Sequence, residues 1–269
     1  MLHLIVRQVR LPEQHRLATI ALIPARYQST RLPGKPLLDL AGLPMIVRVY
    51  ERTLATPGLD AVMVATDDPR VRDVVERHGG RCVMTRADHR SGTDRLAEVA
   101  ATLSCDVVVN VQGDEPLIEP AMIAEAVAPF ANDPALQMST LCRRLDADTE
   151  FHNPNLVKVV RDRDGFALYF SRAPIPYHRA SANRALPSAV FKHIGLYAYR
   201  RDCLLRLAAL PATPLEEAES LEQLRALEHG IRIRTVETQF DSMGVDTPED
   251  LDRVRAHLRA ADARAQHYA

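Results

Sequence analysis

Thr19-Ile20-Ala21-Leu22-Ile23 is a short apolar run closed by Pro24, the pattern of a buried strand rather than a helix. A polar loop rich in Pro and Gly follows. Leu43, Ile46, Val47, Tyr50 and Leu54 then recur at helical spacing. Ala61-Val62-Met63-Val64-Ala65 predicts a second buried strand, and Thr66-Asp67-Asp68-Pro69 a helix start, because an Asp accepts from orphan N–H groups and Pro suits the first turn. The helix through Val71, Val74 and Val75 stops at Gly79-Gly80. Residues 81–85 read as a strand, 91–103 as a helix, and Asp106-Val107-Val108-Val109-Asn110-Val111 as a third strongly buried strand. Continuous apolar strands alternating with helices predict an α/β fold, a doubly wound and mostly parallel sheet covered on both faces. Ligands of such sheets sit at the carboxyl ends of the strands.

The pattern changes in the second half. Residues 156–160 and 166–170 flank Asp162-Arg163-Asp164-Gly165 and predict a hairpin. Residues 191–199 predict a further strand, 215–228 one amphipathic helix, and Thr247-Pro248-Glu249-Asp250 the start of a last helix. The expected organisation is an N-terminal extension over 1–18, then one α/β domain over 19–269 with a smaller β-rich lobe inserted near 145–200.

Composition narrows the class. The chain has 269 residues, a formal net charge of -1 and no basic block, which argues against a nucleic-acid partner. No apolar run reaches the roughly 18 residues of a membrane span. The four cysteines lie far apart without a C-x-x-C pair, and no H-E-x-x-H occurs among the ten histidines. That usage fits a reducing cytoplasm. The apolar stretch Met1 to Val6 precedes the arginines, the reverse of a signal peptide.

Candidate chemistry lies where strands end. Arg26, Arg31 and Lys35 share the loop after the first strand with Gly34 and two prolines, an arrangement suited to a polyphosphate. It is not a Walker loop, since Pro36 follows Gly34-Lys35. Gln112-Gly113-Asp114 follows the third strand directly. Asp114 reads equally as a cation ligand or a turn residue, and Asp246 as a ligand or part of a helix start. Ser91-Gly92-Thr93-Asp94 has the spacing of a capping box. His193 in a strand reads first as a structural group.

The run Ile23-Pro24-Ala25-Arg26-Tyr27-Gln28-Ser29-Thr30-Arg31-Leu32-Pro33-Gly34-Lys35-Pro36 resembles the signature of the 3-deoxy-manno-octulosonate (Kdo) cytidylyltransferases, or CMP-Kdo synthetases. The resemblance continues through Ala65-Thr66-Asp67, Met84-Thr85-Arg86-Ala87-Asp88-His89, Ser91-Gly92-Thr93-Asp94-Arg95 and Asn110-Val111-Gln112-Gly113-Asp114-Glu115-Pro116. It takes in Asn153-Pro154-Asn155, Tyr169-Phe170-Ser171-Arg172, His193-Ile194-Gly195-Leu196-Tyr197, Leu221-Glu222-Gln223-Leu224-Arg225 and Gly244-Val245-Asp246-Thr247-Pro248-Glu249-Asp250. It thus covers residue 19 to about 258 in the family's order.

The resemblance implies a nucleotide-diphospho-sugar transferase-like fold and Mg²⁺-dependent transfer of CMP from CTP to Kdo, for lipopolysaccharide synthesis, by a homodimer. It implies Mg²⁺ on Asp114 and Asp246, catalysis by these with Arg26 and Lys35, and nucleotide contacts from Arg26, Arg31, Lys35, Arg86, Ser91 and Gly92. Gln112, Arg172, His193, Glu219 and Gln223 would line the acid-sugar pocket, with Glu219 and Gln223 on one helical face. The extension before Thr19 and a compressed stretch between Arg172 and Phe191 depart from the family pattern. Two rivals stand beside this reading: an enzyme for another acid sugar, such as an amino-Kdo analogue or sialic acid, and a catalytically silent binding protein. The second predicts loss of Arg26, Lys35, Asp114 or Asp246, and all four are present.

Overall fold

The structure is a computed structural model and describes residues 16–28, 32–145, 148–177, 179 and 190–267. Its first half contains β1 (Thr19–Ala25), a 3-10 turn (Lys35–Leu37), β2 (Asp39–Leu40), β3 (Leu43–Pro44), α1 (Met45–Leu54), β4 (Ala61–Thr66), α2 (Pro69–Arg77), β5 (Cys82–Met84), α3 (Gly92–Ala101) and β6 (Val107–Asn110). There follow α4 (Pro120–Val127), α5 (Pro129–Asn132), β7 (Met138–Arg144), α6 (Asp148–Phe151), β8 (Lys158–Arg161), β9 (Ala167–Ser171), β10 (Phe191–Arg200), α7 (Arg201–Ala209), α8 (Pro214–Glu219), α9 (Gln223–Glu228), β11 (Ile233–Glu237) and α10 (Pro248–His267).

The main sheet runs β11-β7-β10-β6-β1-β4-β5. β1 lies parallel to β4 and β6, β4 to β5, and β7 to β11, while β10 is antiparallel to both its neighbours β6 and β7. β2 and β3 form a separate small antiparallel pair. Strand alternation sorts the core into two layers. Ala21, Ile23, Val62, Val64, Val107 and Val109 pack with Ile46, Val49 and Met122 on one face. Ile20, Leu22, Ala65 and Val108 pack with Leu96, Val99, Leu204 and Leu207 on the other. Both faces of the sheet are therefore buried, which is why β1, β4 and β6 read as unbroken apolar runs.

Helix starts follow their expected chemistry. Asp68 caps α2 through the Arg70 N–H. Ser91 and Asp94 form a reciprocal capping box on α3. Thr247 and Asp250 exchange hydrogen bonds at the start of α10, so Asp246 lies just outside that helix.

Two expectations change. The stretch 145–200 is not a lobe apart: β10 is a central strand of the main sheet, and β8 and β9 extend that sheet by pairing with the first residues of β10 and with each other. The expected single helix over 215–228 is two, because Ser220 adopts a left-handed conformation (φ 52°) and ends α8. Glu219 and Gln223 consequently lie on different helices rather than on one face. Of the expected extension, residues 1–15 lie outside the described residues. Arg16 reaches Asp60 at 2.7 Å, and the Ala18 N–H reaches Asp106 at 2.8 Å.

Phe170 of β9 is fully buried in the second core layer, and it ties the β8–β9 hairpin to the sheet. Phe170→Ala is expected to cost about 3–5 kcal/mol of unfolding free energy, measured by urea denaturation. A loss below about 1 kcal/mol would mean that the hairpin is not packed as described.

Candidate active site

A cleft of about 360 Å³ opens at the carboxyl ends of β1 and β6, lined by Arg26, Gln28, Lys35, Gln112, Asp114 and Asp246 among others. Three segments build it. The first is the turn after β1, where Gly34 takes the left-handed conformation (φ 69°) that starts the 3-10 turn and places Lys35. The second is Gln112-Gly113-Asp114 after β6. A Cβ on Gly113 would lie 2.6 Å from the Pro24 carbonyl oxygen. The glycine therefore accommodates the close approach of the protein's own backbone. The third is the segment before α10, held by the Val245 N–H donating to the Asp114 carbonyl at 2.9 Å.

At the meeting point, Lys35 Nζ donates to Asp114 Oδ2 at 2.6 Å and to Asp246 Oδ1 at 3.1 Å. Both carboxylates thus meet the Lys35 ammonium. Their donor chemistry fits a hard divalent ion, which takes one or two protein carboxylates and completes its shell with water and phosphate oxygens. The adjacent Glu115 has its pKa raised to about 8 by burial, then by the Asp114 charge. It is largely protonated at neutral pH and leaves the site with two carboxylate charges rather than three.

Arg26 lines the same cleft and donates from Nη2 to the His89 carbonyl at 2.7 Å, spanning from β1 to the segment before α3. Gln112 Nε2 donates to Asn110 Oδ1 at 3.3 Å and to the Gly195 carbonyl at 3.2 Å, which links the cleft to β10. A Cβ on Gly92 would lie 3.3 Å from Pro24 Cγ, so the start of α3 packs directly against the end of β1. Arg86 stands apart, exposed and paired with Asp88 at 3.0 Å. Arg31 lies outside the described residues.

Of the five expected sugar residues, Gln112 lines this cleft and the other four lie outside it. Arg172 Nε donates to the Glu219 carbonyl at 2.9 Å and Nη1 to the Pro154 carbonyl at 3.2 Å. The Glu219 carboxylate accepts from Ser171 Oγ at 2.5 Å and from the Arg172 N–H at 2.9 Å. Gln223 is buried, and its Nε2 finds no hydrogen-bond partner among the described residues. His193 sets Nε2 against Thr140 Oγ1 at 2.9 Å, with its ring against Phe170 and Tyr197. Burial lowers its pKa to about 3, so the imidazole is neutral at physiological pH. None of these four residues lines the Lys35 cleft.

Sequence reasoning passed over Lys158, while Thr93 and Arg95 stood in a quoted motif without their partners. Lys158 is fully buried, its ammonium donating to the carbonyls of Asn153, Leu156 and Arg172 at 2.9, 2.6 and 2.6 Å. Thr93 Oγ1 donates to Glu222 Oε2 at 2.7 Å and joins α3 to the α8–α9 turn. Arg95 is buried beside Asp67 at 3.1 Å and also bonds Thr85. A lysine inside an apolar strand was the one available signal for Lys158. The partners of Thr93 and Arg95 lie in segments that only the fold brings near.

A cleft at the ends of parallel strands, two carboxylates converging on a cation and basic side chains beside them define a nucleotidyltransferase-type site. The family profile described as cytidylyltransferase matches residues 20–233. The 3-deoxy-manno-octulosonate cytidylyltransferase of Syntrophotalea carbinolica is 58% identical over 248 residues, covering 90% of this chain and 99% of its own length. That of Trichlorobacter lovleyi is 54% identical over 247 residues, covering 89% and 98%. A solved structure of CMP:2-keto-3-deoxy-manno-octonic acid synthetase complexed with CTP superimposes with a TM-score of 0.86 at 50% identity, over 91% of this chain and 99% of that one. The chain belongs to the cytidylyltransferase family, within its 3-deoxy-manno-octulosonate cytidylyltransferase members.

Two outcomes follow from the geometry. Gly113→Ala must displace either the Pro24 carbonyl or Asp114, with an expected cost of about 1–3 kcal/mol in urea unfolding; an unchanged midpoint would contradict the close approach. His193 has a folded pKa near 3, below the ordinary 6.5. The unfolded chain binds a proton there that the folded chain refuses, so the contribution to stability is full above pH 6.5 and is lost as the pH falls towards 3. The slope of Tm against pH below 6.5 should be shallower for His193→Gln, and an identical slope would contradict the assignment.

Proposed function

We propose that this protein transfers CMP from CTP to 3-deoxy-D-manno-octulosonate, releasing pyrophosphate, in the supply of activated sugar for lipopolysaccharide synthesis. The observation that carries the reading is the convergence of Lys35, Asp114 and Asp246 in the cleft, in a chain that is 50% identical to a CMP-Kdo synthetase solved with CTP. The anomeric hydroxyl of the sugar attacks the α-phosphorus and gives up its proton to solvent, the bond between the α-phosphorus and the bridging oxygen breaks, and pyrophosphate leaves with that electron pair. Lys35 and Arg26 both line the cleft, which supports their holding phosphate oxygens, and most of the catalytic advantage in such a transfer is positioning and electrostatic stabilisation. Mg²⁺ on Asp114 and Asp246 would supply further charge neutralisation at the α-phosphate and the leaving group.

His193 is neutral and engaged with Thr140, which suits an uncharged hydrogen-bonding role towards sugar hydroxyls rather than that of a proton donor at neutral pH. Arg172 is the cation proposed to meet the sugar carboxylate, and would exchange a carbonyl partner for it. Among the described residues no helix is long and apolar enough to cross a membrane. The free thiols of Cys82, Cys105, Cys142 and Cys203 support a reducing, cytoplasmic location. The motif resemblance supports a homodimer.

A pyrophosphate-release assay over Kdo, an amino-Kdo analogue and sialic acid, with CTP and then UTP, tests the substrates. Kdo with CTP should give the highest kcat/KM; equal rates with UTP, or preference for another acid sugar, would overturn the assignment. Asp114→Asn and Asp246→Asn should each lower kcat about 100- to 1,000-fold while the protein stays folded. Near-normal turnover by either variant would remove the carboxylates from the chemistry.

A further inference from the structure

The position between Asp114 and Asp246 is taken by the protein's own Lys35 ammonium. Lys35 is the inner member of the trio: its side chain is 14% exposed, against 36% for Asp114 and 54% for Asp246. Magnesium binds oxygen at about 2.0–2.1 Å, so an ion seated between the two carboxylates cannot share that space with an ammonium bonded to both. The Lys35 backbone is fixed by its N–H donating to the Leu32 carbonyl at 3.0 Å. The side chain above it is a flexible four-carbon stem that can turn into the cleft. A polyphosphate there, beside Arg26, offers the ammonium a new anionic partner.

We infer that Lys35 is a resident counter-ion that makes loading of the divalent cation conditional on the nucleotide. Without nucleotide, the ammonium cancels repulsion between the two carboxylates and excludes the metal. When the triphosphate enters, it draws Lys35 off Asp114 and Asp246, and the cation takes the vacated place. By linkage, nucleotide and metal then strengthen each other's binding by the same factor. This rests on the metal assignment proposed above and adds to it an order of events.

The test titrates Mn²⁺ into the full-length protein and reads free Mn²⁺ by electron paramagnetic resonance, without turnover. Without nucleotide, Lys35→Met should bind Mn²⁺ about tenfold or more tightly than the unmodified chain. Arg26→Met removes a cation from the same cleft that is not bonded to either carboxylate, and should shift Mn²⁺ affinity less than about threefold. An unreactive α,β-methylene analogue of CTP should tighten Mn²⁺ binding strongly in the unmodified chain and at least about tenfold less in Lys35→Met. Equal Mn²⁺ affinities for the unmodified and Lys35→Met proteins would overturn the counter-ion role. In that case, loss of Mn²⁺ binding in Asp114→Asn would still uphold the metal site. Failure of Lys35→Met to bind Mn²⁺ at all would overturn both.

Discussion

The site depends on one electrostatic constraint: two carboxylates from distant parts of the chain are brought to one point and must share a cation there. Asp114 follows β6 and Asp246 precedes α10, and a backbone hydrogen bond from Val245 to Asp114 fixes their spacing. Like charges this close repel. Lys35 offsets that repulsion at 2.6 and 3.1 Å. Protonation of the buried Glu115 keeps a third charge away. A site poised in this way favours added positive charge and an anion to hold it, the two components of a metal–nucleotide complex.

The sheet supplies the rigidity this balance needs. β1 and β6 are hydrogen-bonded neighbours, so the turns that leave them emerge side by side. The absence of a side chain at Gly113 lets the second turn close against the first. β10, the antiparallel strand in the middle of the sheet, brings the Gly195 carbonyl to Gln112 and carries His193 on the same strand. The Lys35 cleft and the Arg172–Glu219 cluster are thus linked through the paired strands β10, β8 and β9 of one sheet.

Much of this was legible in the chain. β1, β4 and β6 are buried on both faces and announce themselves as apolar runs, and the caps at Asp68 and Ser91 fall where their residue types predict. β7 was illegible because Ser139 and Thr140 interrupt it. The fold satisfies them by hydrogen bonds to the carbonyls of Ala126, Ile194 and Leu196. β11 presents only alternating burial as an edge strand. The break at Ser220 could not be read from a helical stretch of Glu, Ala and Leu, because a left-handed serine is held by tertiary contacts around Glu219 and Glu222 rather than by local preference. At the site, residue types gave the candidates. That Lys35 rests on both carboxylates, and that Arg172 is engaged with backbone carbonyls, emerge only from the three-dimensional arrangement.

The most direct test of the central claim is an anomalous diffraction map of the protein with Mn²⁺ and an unreactive CTP analogue. A cation peak within about 2.0–2.4 Å of an oxygen of both Asp114 and Asp246, with Lys35 Nζ moved onto a phosphate oxygen, is the expected result. A map in which Lys35 still bridges the two carboxylates, and the cation lies elsewhere, would contradict the account.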